Sequence, residues 1–201
     1  PHYNAPVISN PMTIEIIKTM LDDDKIKIPN QLKPLNNNSS IRISKNIEIE
    51  LISITHSTLQ TSIVAIHTPK GTVLYANDFK LDNNPVLGQK PNYKRLKQLG
   101  EENVIALIMD SIYSTSNTKT PPEIVAKEML KDVMLGTENS DNALIATTFA
   151  SHIARLKSIA DFSLKLGRKP IFLGRSLMKY IQASENLGLT NISQNAEIVG
   201  Y

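Results

Sequence analysis

The stretch Ile54–Asp82, ITHSTLQTSIVAIHTPKGTVLYANDFKLD, decides how this chain is read. Two apolar runs, SIVAIHT and TVLYAND, flank the turn Pro69-Lys70-Gly71, which is the pattern of a β-hairpin. His56 follows the end of the apolar run that precedes the hairpin, and Asp78 closes the hairpin's second run. Side chains at strand ends gather along one edge of a sheet, where loops can build a site. An imidazole and a carboxylate placed there can bind a divalent cation, and a carboxylate can bridge two. The ordinary alternative is that each residue forms a turn or ends a strand, and spacing alone favours that alternative.

Strand signals continue on both sides of the hairpin. Ile41, Ile43, Ile47, Ile49 and Leu51 alternate with polar residues across a turn at Lys45-Asn46, which predicts strands with one solvated face. A further run, NVIALIMD, ends at Asp110, a third acidic residue at a strand end. Before them, Asn10-Pro11 ahead of MTIEIIKTML reads as a capped helix start.

Beyond Asp110 the polar stretch SIYSTSNTKTPP cannot supply a core, and a domain boundary is placed here, dividing residues 1–115 from 116–201. Alternation follows: a helix at PEIVAKEMLKDVM, a strand at NALIATTFA, a helix at SHIARLKSIADFSLKLG, a strand at KPIFLG and a helix at RSLMKYIQASENLG. That order predicts a parallel sheet with crossover helices, and Gly167 and Gly188 are placed to close two of the helices. Ser151 and Ser176 each fall between a strand and a helix. Each can cap a helix whose free amides favour an anion such as phosphate, and Arg175 can add a bidentate contact. Simple capping, with Arg175 in a structural ion pair, explains the same residues equally well. His152 reads as a first-turn surface residue and His67 as a satisfied residue inside a strand.

The composition narrows the choices. The 201 residues include no cysteine, so disulfides and thiolate metal sites are excluded and any metal must be held by imidazole and carboxylate. Zinc or manganese suits such donors. A net charge of +3 is compatible with a polyanionic partner without diagnosing one. No apolar run approaches the roughly 20 residues that span a bilayer, so no membrane partner is expected. No export signal is visible, and the chain is expected to be cytoplasmic.

The quoted stretch also resembles the RNase J ribonucleases, of the β-CASP branch of the metallo-β-lactamase fold. In that family a Thr-His-Ser step carries a zinc-ligand histidine, here Thr55-His56-Ser57. A Gly-Asp-Phe-Lys step carries an aspartate that bridges two metals, here Asn77-Asp78-Phe79-Lys80, with asparagine replacing the glycine. IMDSIYS is similar to the first β-CASP motif, which would make Asp110 the acid that partners a histidine of the second domain; Ile112 stands where relatives commonly have threonine. TTFASHIARL and GRSLMKYI are similar to the Phe-Ala-Ser and Gly-Arg-Ser segments of the β-CASP domain.

The resemblance covers nearly the whole chain and implies an α/β (α+β) fold. It would be the later part of a metallo-β-lactamase αββα sandwich followed by the start of a Rossmann-like β-CASP domain. It implies a zinc-dependent phosphodiester hydrolase acting on RNA, chiefly a 5′-to-3′ exonuclease on 5′-monophosphate ends, with endonucleolytic cleavage also known. His56 and Asp78 would bind metal, Asp110 would be catalytic, and Ser151, Arg175 and Ser176 would contact RNA phosphate. Two zinc ions are implied, or manganese, and a homodimer or higher homo-oligomer. The alternatives are a polyadenylation-factor type of endoribonuclease and a non-catalytic RNA-binding relative with a decayed metal site. The family's His-x-His-x-Asp-His motif does not occur in these residues, so the chain is expected to be an internal piece of a longer protein and inactive by itself.

Overall fold

A computed structural model of the protein describes residues 5–138 and 141–200. They form two compact units. The first holds the described residues up to His56, with Gln60–Asn83 and Gly88–Thr120; the second holds Ser57–Leu59, Asn84–Leu87 and the described residues from Pro121 onwards.

In the first unit β1 (Val7–Ser9) pairs in parallel with β2 (Leu32–Pro34), and helix α1 (Pro11–Asp23) connects them. The helix starts where the sequence predicts. Asn10 Oδ1 accepts the Thr13 amide at 2.8 Å, and Pro11 occupies the first position, where a missing amide loses nothing.

Five strands make the main sheet: β3 (Ser39–Ser44), β4 (Ile47–Ser53), β5 (Ser62–Thr68), β6 (Gly71–Ala76) and β7 (Val104–Met109), in spatial order of sequence. The first four pair antiparallel and β7 joins β6 in parallel. A parallel neighbour requires a crossover, supplied by helix α2 (Tyr93–Glu101). The periodicity reading did not place this helix, although Asn92 marks its start, with Oδ1 accepting the Arg95 amide at 3.0 Å. Leu99 and Leu96 of α2 pack on Ile52, Ile54, Ile63, Ala65 and Ala76 to form the core over one face of the sheet.

At the hairpin turn Gly71 has φ +137°, which a side chain rarely adopts. A Cβ there would meet Ile105 Cγ2 at 2.5 Å and the Asn103 carbonyl oxygen at 2.8 Å. Glycine is therefore required both by backbone angle and by the close approach of the segment entering β7.

The second unit is helical, with α3 (Glu123–Gly136) packed on α4 (Ile153–Lys165) and α4 on α5 (Arg175–Asn186). Gly167 and Gly188, at φ +70° and +65°, close α4 and α5 as expected from left-handed glycines. Strand β8 (Ile171–Leu173) pairs in parallel with β9 (Glu197–Val199).

Here the sequence expectation needs correcting. NALIATTFA forms no strand: residues 143–149 run as irregular chain, with Ile145 93% and Phe149 80% exposed. Apolar and β-branched residues make a strand only where a neighbour supplies the ladder bonds, because β-propensity is mostly a measure of packing. In this unit β8 finds its partner in β9, which the sequence reading did not place. Among the described residues, no helix is long and apolar enough to cross a membrane.

Candidate functional site

Because β4 and β5 are antiparallel, as are β5 and β6, the strands β4, β6 and β7 all run in one direction. His56, Asp78 and Asp110 follow their C-terminal ends by one to three residues, at the same edge of the sheet. The first two loops are strapped together through Thr55. Its carbonyl accepts the Lys80 amide at 2.7 Å, its hydroxyl donates to the Lys80 carbonyl and accepts the Asp82 amide at 3.1 Å. Thr55 is 9% exposed, so these bonds are shielded from water. Phe79 packs against the core while its neighbour Asp78 is exposed, as is His56. Asp82, missed by sequence reasoning, is buried with its carboxylate 3.6 Å from Lys80 Nζ.

Asp110 extends the ladder, its amide donating to the Ala76 carbonyl at 3.1 Å. Its Oδ1 accepts the Ile112 amide at 3.1 Å, a local turn that uses the backbone of Ile112 and needs no hydroxyl there.

His56 and Asp78 suit zinc or manganese in the kind of donor they offer. They do not suit it in number. Among the described residues no group of three or more His, Asp or Glu is placed to hold a metal ion, whereas catalytic zinc takes three protein ligands.

In the second unit neither serine is a helix cap. His152 is the N-cap residue of α4 and Gly174 that of α5, neither with a side-chain cap bond, so Ser151 lies one residue before the cap of its helix and Ser176 is the second residue of its own. Arg175 and Ser176 are exposed. Ser57, which belongs to this unit, places its Oγ 3.4 Å from Ser151 Oγ. His152 is not a surface residue: its Nε2 lies 3.4 Å from the buried carboxylate of Glu123, which also receives Arg155 Nε at 3.2 Å and Nη2 at 2.9 Å.

A matching cluster lies in the first unit. His67 is satisfied as expected, its Nδ1 3.1 Å from Thr72 Oγ1 and its Nε2 2.9 Å from Glu50 Oε2. Arg95 of α2 donates to both Glu50 oxygens, from Nε at 2.7 Å and Nη2 at 2.9 Å. Burial alone would raise the Glu50 carboxyl, but the hydrogen bonds from Arg95 and His67 outweigh it, and the group titrates below its ordinary value. Arg95 is in turn held more firmly charged, chiefly by its bond to Glu50. Glu50, His67 and Arg95 line an open polar recess of about 360 Å³. Sequence reading did not find Glu50, Arg95, Glu123 or Arg155, because their partners lie in other elements.

Positions 141–200 match the family described as Ribonuclease J, beta-CASP domain. Over 199 residues the chain is 42% identical to a protein called Ribonuclease J from Methanocaldococcus jannaschii, covering 98% of this chain and 44% of that one. It is 46% identical over 191 residues to a Ribonuclease J from Pyrococcus abyssi, covering 94% of this chain and 42% of the relative. The chain thus spans less than half the length of these relatives. In fold it is similar to a crystal structure of a protein of unknown function from Enterococcus faecalis V583, with TM-score 0.62 and 16% identity, over 98% of this chain and 49% of that one.

Proposed function

The chain belongs to the ribonuclease J family over the region it spans, and from that premise we propose that it forms part of a metal-dependent ribonuclease. The reaction is hydrolysis of RNA phosphodiester bonds, chiefly 5′-to-3′ from 5′-monophosphate ends, with endonucleolytic cleavage as a second mode. The protein would work in the cytoplasm as a homodimer or higher homo-oligomer.

The observation that supports this best is the Thr55 strap. It fixes the His56 and Asp78 loops against each other, at the end of the sheet where Asp110 also emerges, so an imidazole and two carboxylates share one edge. His56 and Asp78 would give two of the several donors that a zinc or manganese centre needs, and no third His, Asp or Glu is grouped with them among the described residues. Asp110 would act beside that centre on proton delivery. The second unit offers the phosphate contacts: Ser151 ahead of α4, and Arg175 and Ser176 in the first turn of α5, where free amides and the helix dipole favour an anion.

The test is replacement of His56 or Asp78 by alanine in the intact protein, assayed on a 5′-monophosphorylated RNA. The expected outcome is loss of nuclease activity with RNA binding retained, and unchanged cleavage would refute the assignment. Metal analysis of the two variants supplies an independent check, since each should hold less zinc or manganese than the parent.

A further inference from the structure

Glu123 is a buried acid with no part in the reading given above. It is the first residue of α3 and 7% exposed, and its carboxylate is met by two residues of another helix start: His152, the N-cap of α4, and Arg155 in the first turn of α4. Both oxygens are used, Oε1 by Arg155 Nε at 3.2 Å and Oε2 by Arg155 Nη2 at 2.9 Å and His152 Nε2 at 3.4 Å. The carboxylate therefore stands at the N-termini of two helices at once. Both dipoles stabilise it there, since negative charge is favoured in a first turn.

The same electrostatics make α4 unfavourable without it. A guanidinium in the first turn of a helix opposes the dipole, and the α4 start has no side-chain cap bond to compensate. Glu123 offsets the charge and, through the bidentate fork, fixes the direction of Arg155. The chain leading into this point is irregular and mostly exposed from residue 143 to 149, and at the turn that closes it the His152 amide donates to the Phe149 carbonyl at 3.1 Å and the Ile153 amide to the Ser151 carbonyl at 3.0 Å. Ser151 lies inside that turn. Its hydroxyl meets that of Ser57 at 3.4 Å, and the backbone that carries it runs directly into the residues that Glu123 holds.

We propose that Glu123 is the positioning residue of the Ser151 phosphate contact, acting through His152 and Arg155 on the first turn of α4. This rests on the reading of Ser151 as an RNA contact. Glu123 itself touches no substrate; it determines where the serine hydroxyl points.

The experiment is a double-mutant cycle in the intact protein, with KM and kcat measured on a single-stranded RNA. KM is the informative quantity, because a smaller folded fraction lowers apparent kcat and leaves KM unchanged. Glu123→Gln keeps the size and one acceptor oxygen but removes the charge. It is expected to raise KM about tenfold, the size of one lost charged hydrogen bond. Ser151→Ala is expected to raise KM similarly, and the double variant to be no worse than the more affected single one, since both changes remove one contact. His152→Gln provides a milder variant should Glu123→Gln fold poorly, with a smaller rise in KM. An unchanged KM in Glu123→Gln or His152→Gln beside a raised KM in Ser151→Ala overturns the positioning role alone. Effects that multiply in the double variant overturn it as well. An unchanged KM in Ser151→Ala removes the phosphate reading and the positioning role together.

Discussion

Each unit of the molecule contains a carboxylate gripped by an arginine fork and a histidine: Glu50 with Arg95 and His67 in the first, Glu123 with Arg155 and His152 in the second. The chemistry is the same and the placement differs. Glu50 lies within β4, with His67 on the neighbouring strand and Arg95 on the crossover helix, so the cluster ties three elements that ladder bonds and the apolar core already hold. Glu123 joins two helix starts, one of which is entered by irregular chain. A salt-bridge cluster inside a determined frame adds stability, whereas one at the end of an undetermined segment also decides geometry. The two should therefore fail differently when broken.

The largest effect is expected from Glu50→Ala. It leaves a guanidinium that is about a quarter exposed, together with His67, facing a gap without their acceptor. Removing one partner of a buried pair destabilises by about 3–5 kcal/mol, and partial exposure brings the expectation to about 2–3 kcal/mol. A denaturant titration reads this loss, and KM for RNA should not move. A raised KM would break the distinction between the two clusters. The cluster should also show in acid. Because the folded-state pKa of Glu50 is lowered, its contribution is present above the ordinary value of 4.5 and is lost as pH falls through the lower folded value. Stability of the parent should accordingly fall more steeply than that of Glu50→Gln below about pH 4.5.

Gly71→Ala probes the frame around the first cluster. Thr68 pairs with Gly71 and His67 with Thr72, so the turn sets which residue His67 Nδ1 meets while its Nε2 holds Glu50. An alanine would have to adopt φ +137° with its Cβ 2.5 Å from Ile105, and something must shift. We expect a loss of about 2 kcal/mol from strain and overpacking, read as a lowered unfolding midpoint. If the hairpin relaxes by moving His67, the acid slope attributed to Glu50 should weaken in the same variant.

What could be read from sequence follows the same division. The hairpin, the Asn10 cap and the closing glycines Gly167 and Gly188 are local signals within a few residues, and the structure has them where expected. The clusters are not local: Glu50 is 17 residues from His67 and 45 from Arg95, and Glu123 is 32 from Arg155. Composition near any one of them says nothing about the others. The Asn142–Ala150 segment was misread for a related reason, since its apolar content suits a strand but pairing is decided by a distant partner, and β8 pairs with β9. His56, Asp78 and Asp110 were legible as strand-end residues, while the Thr55 strap between their loops was not, because it depends on a hydroxyl reaching 25 residues along the chain.

The smallest expected effect serves as the control on which the comparison rests. Asn10→Ala removes the side chain that caps α1 at Thr13 and should destabilise by about 1 kcal/mol. Asn10 also reaches Ser62 Oγ at 3.4 Å, but it touches neither salt-bridge cluster and no proposed RNA contact. A modest drop in unfolding midpoint with an unchanged KM is the expected result. If Asn10→Ala instead raised KM as much as Glu123→Gln does, then KM in this protein would merely follow stability. The carboxylate between the two helix starts would then be doing no more than its counterpart in the sheet.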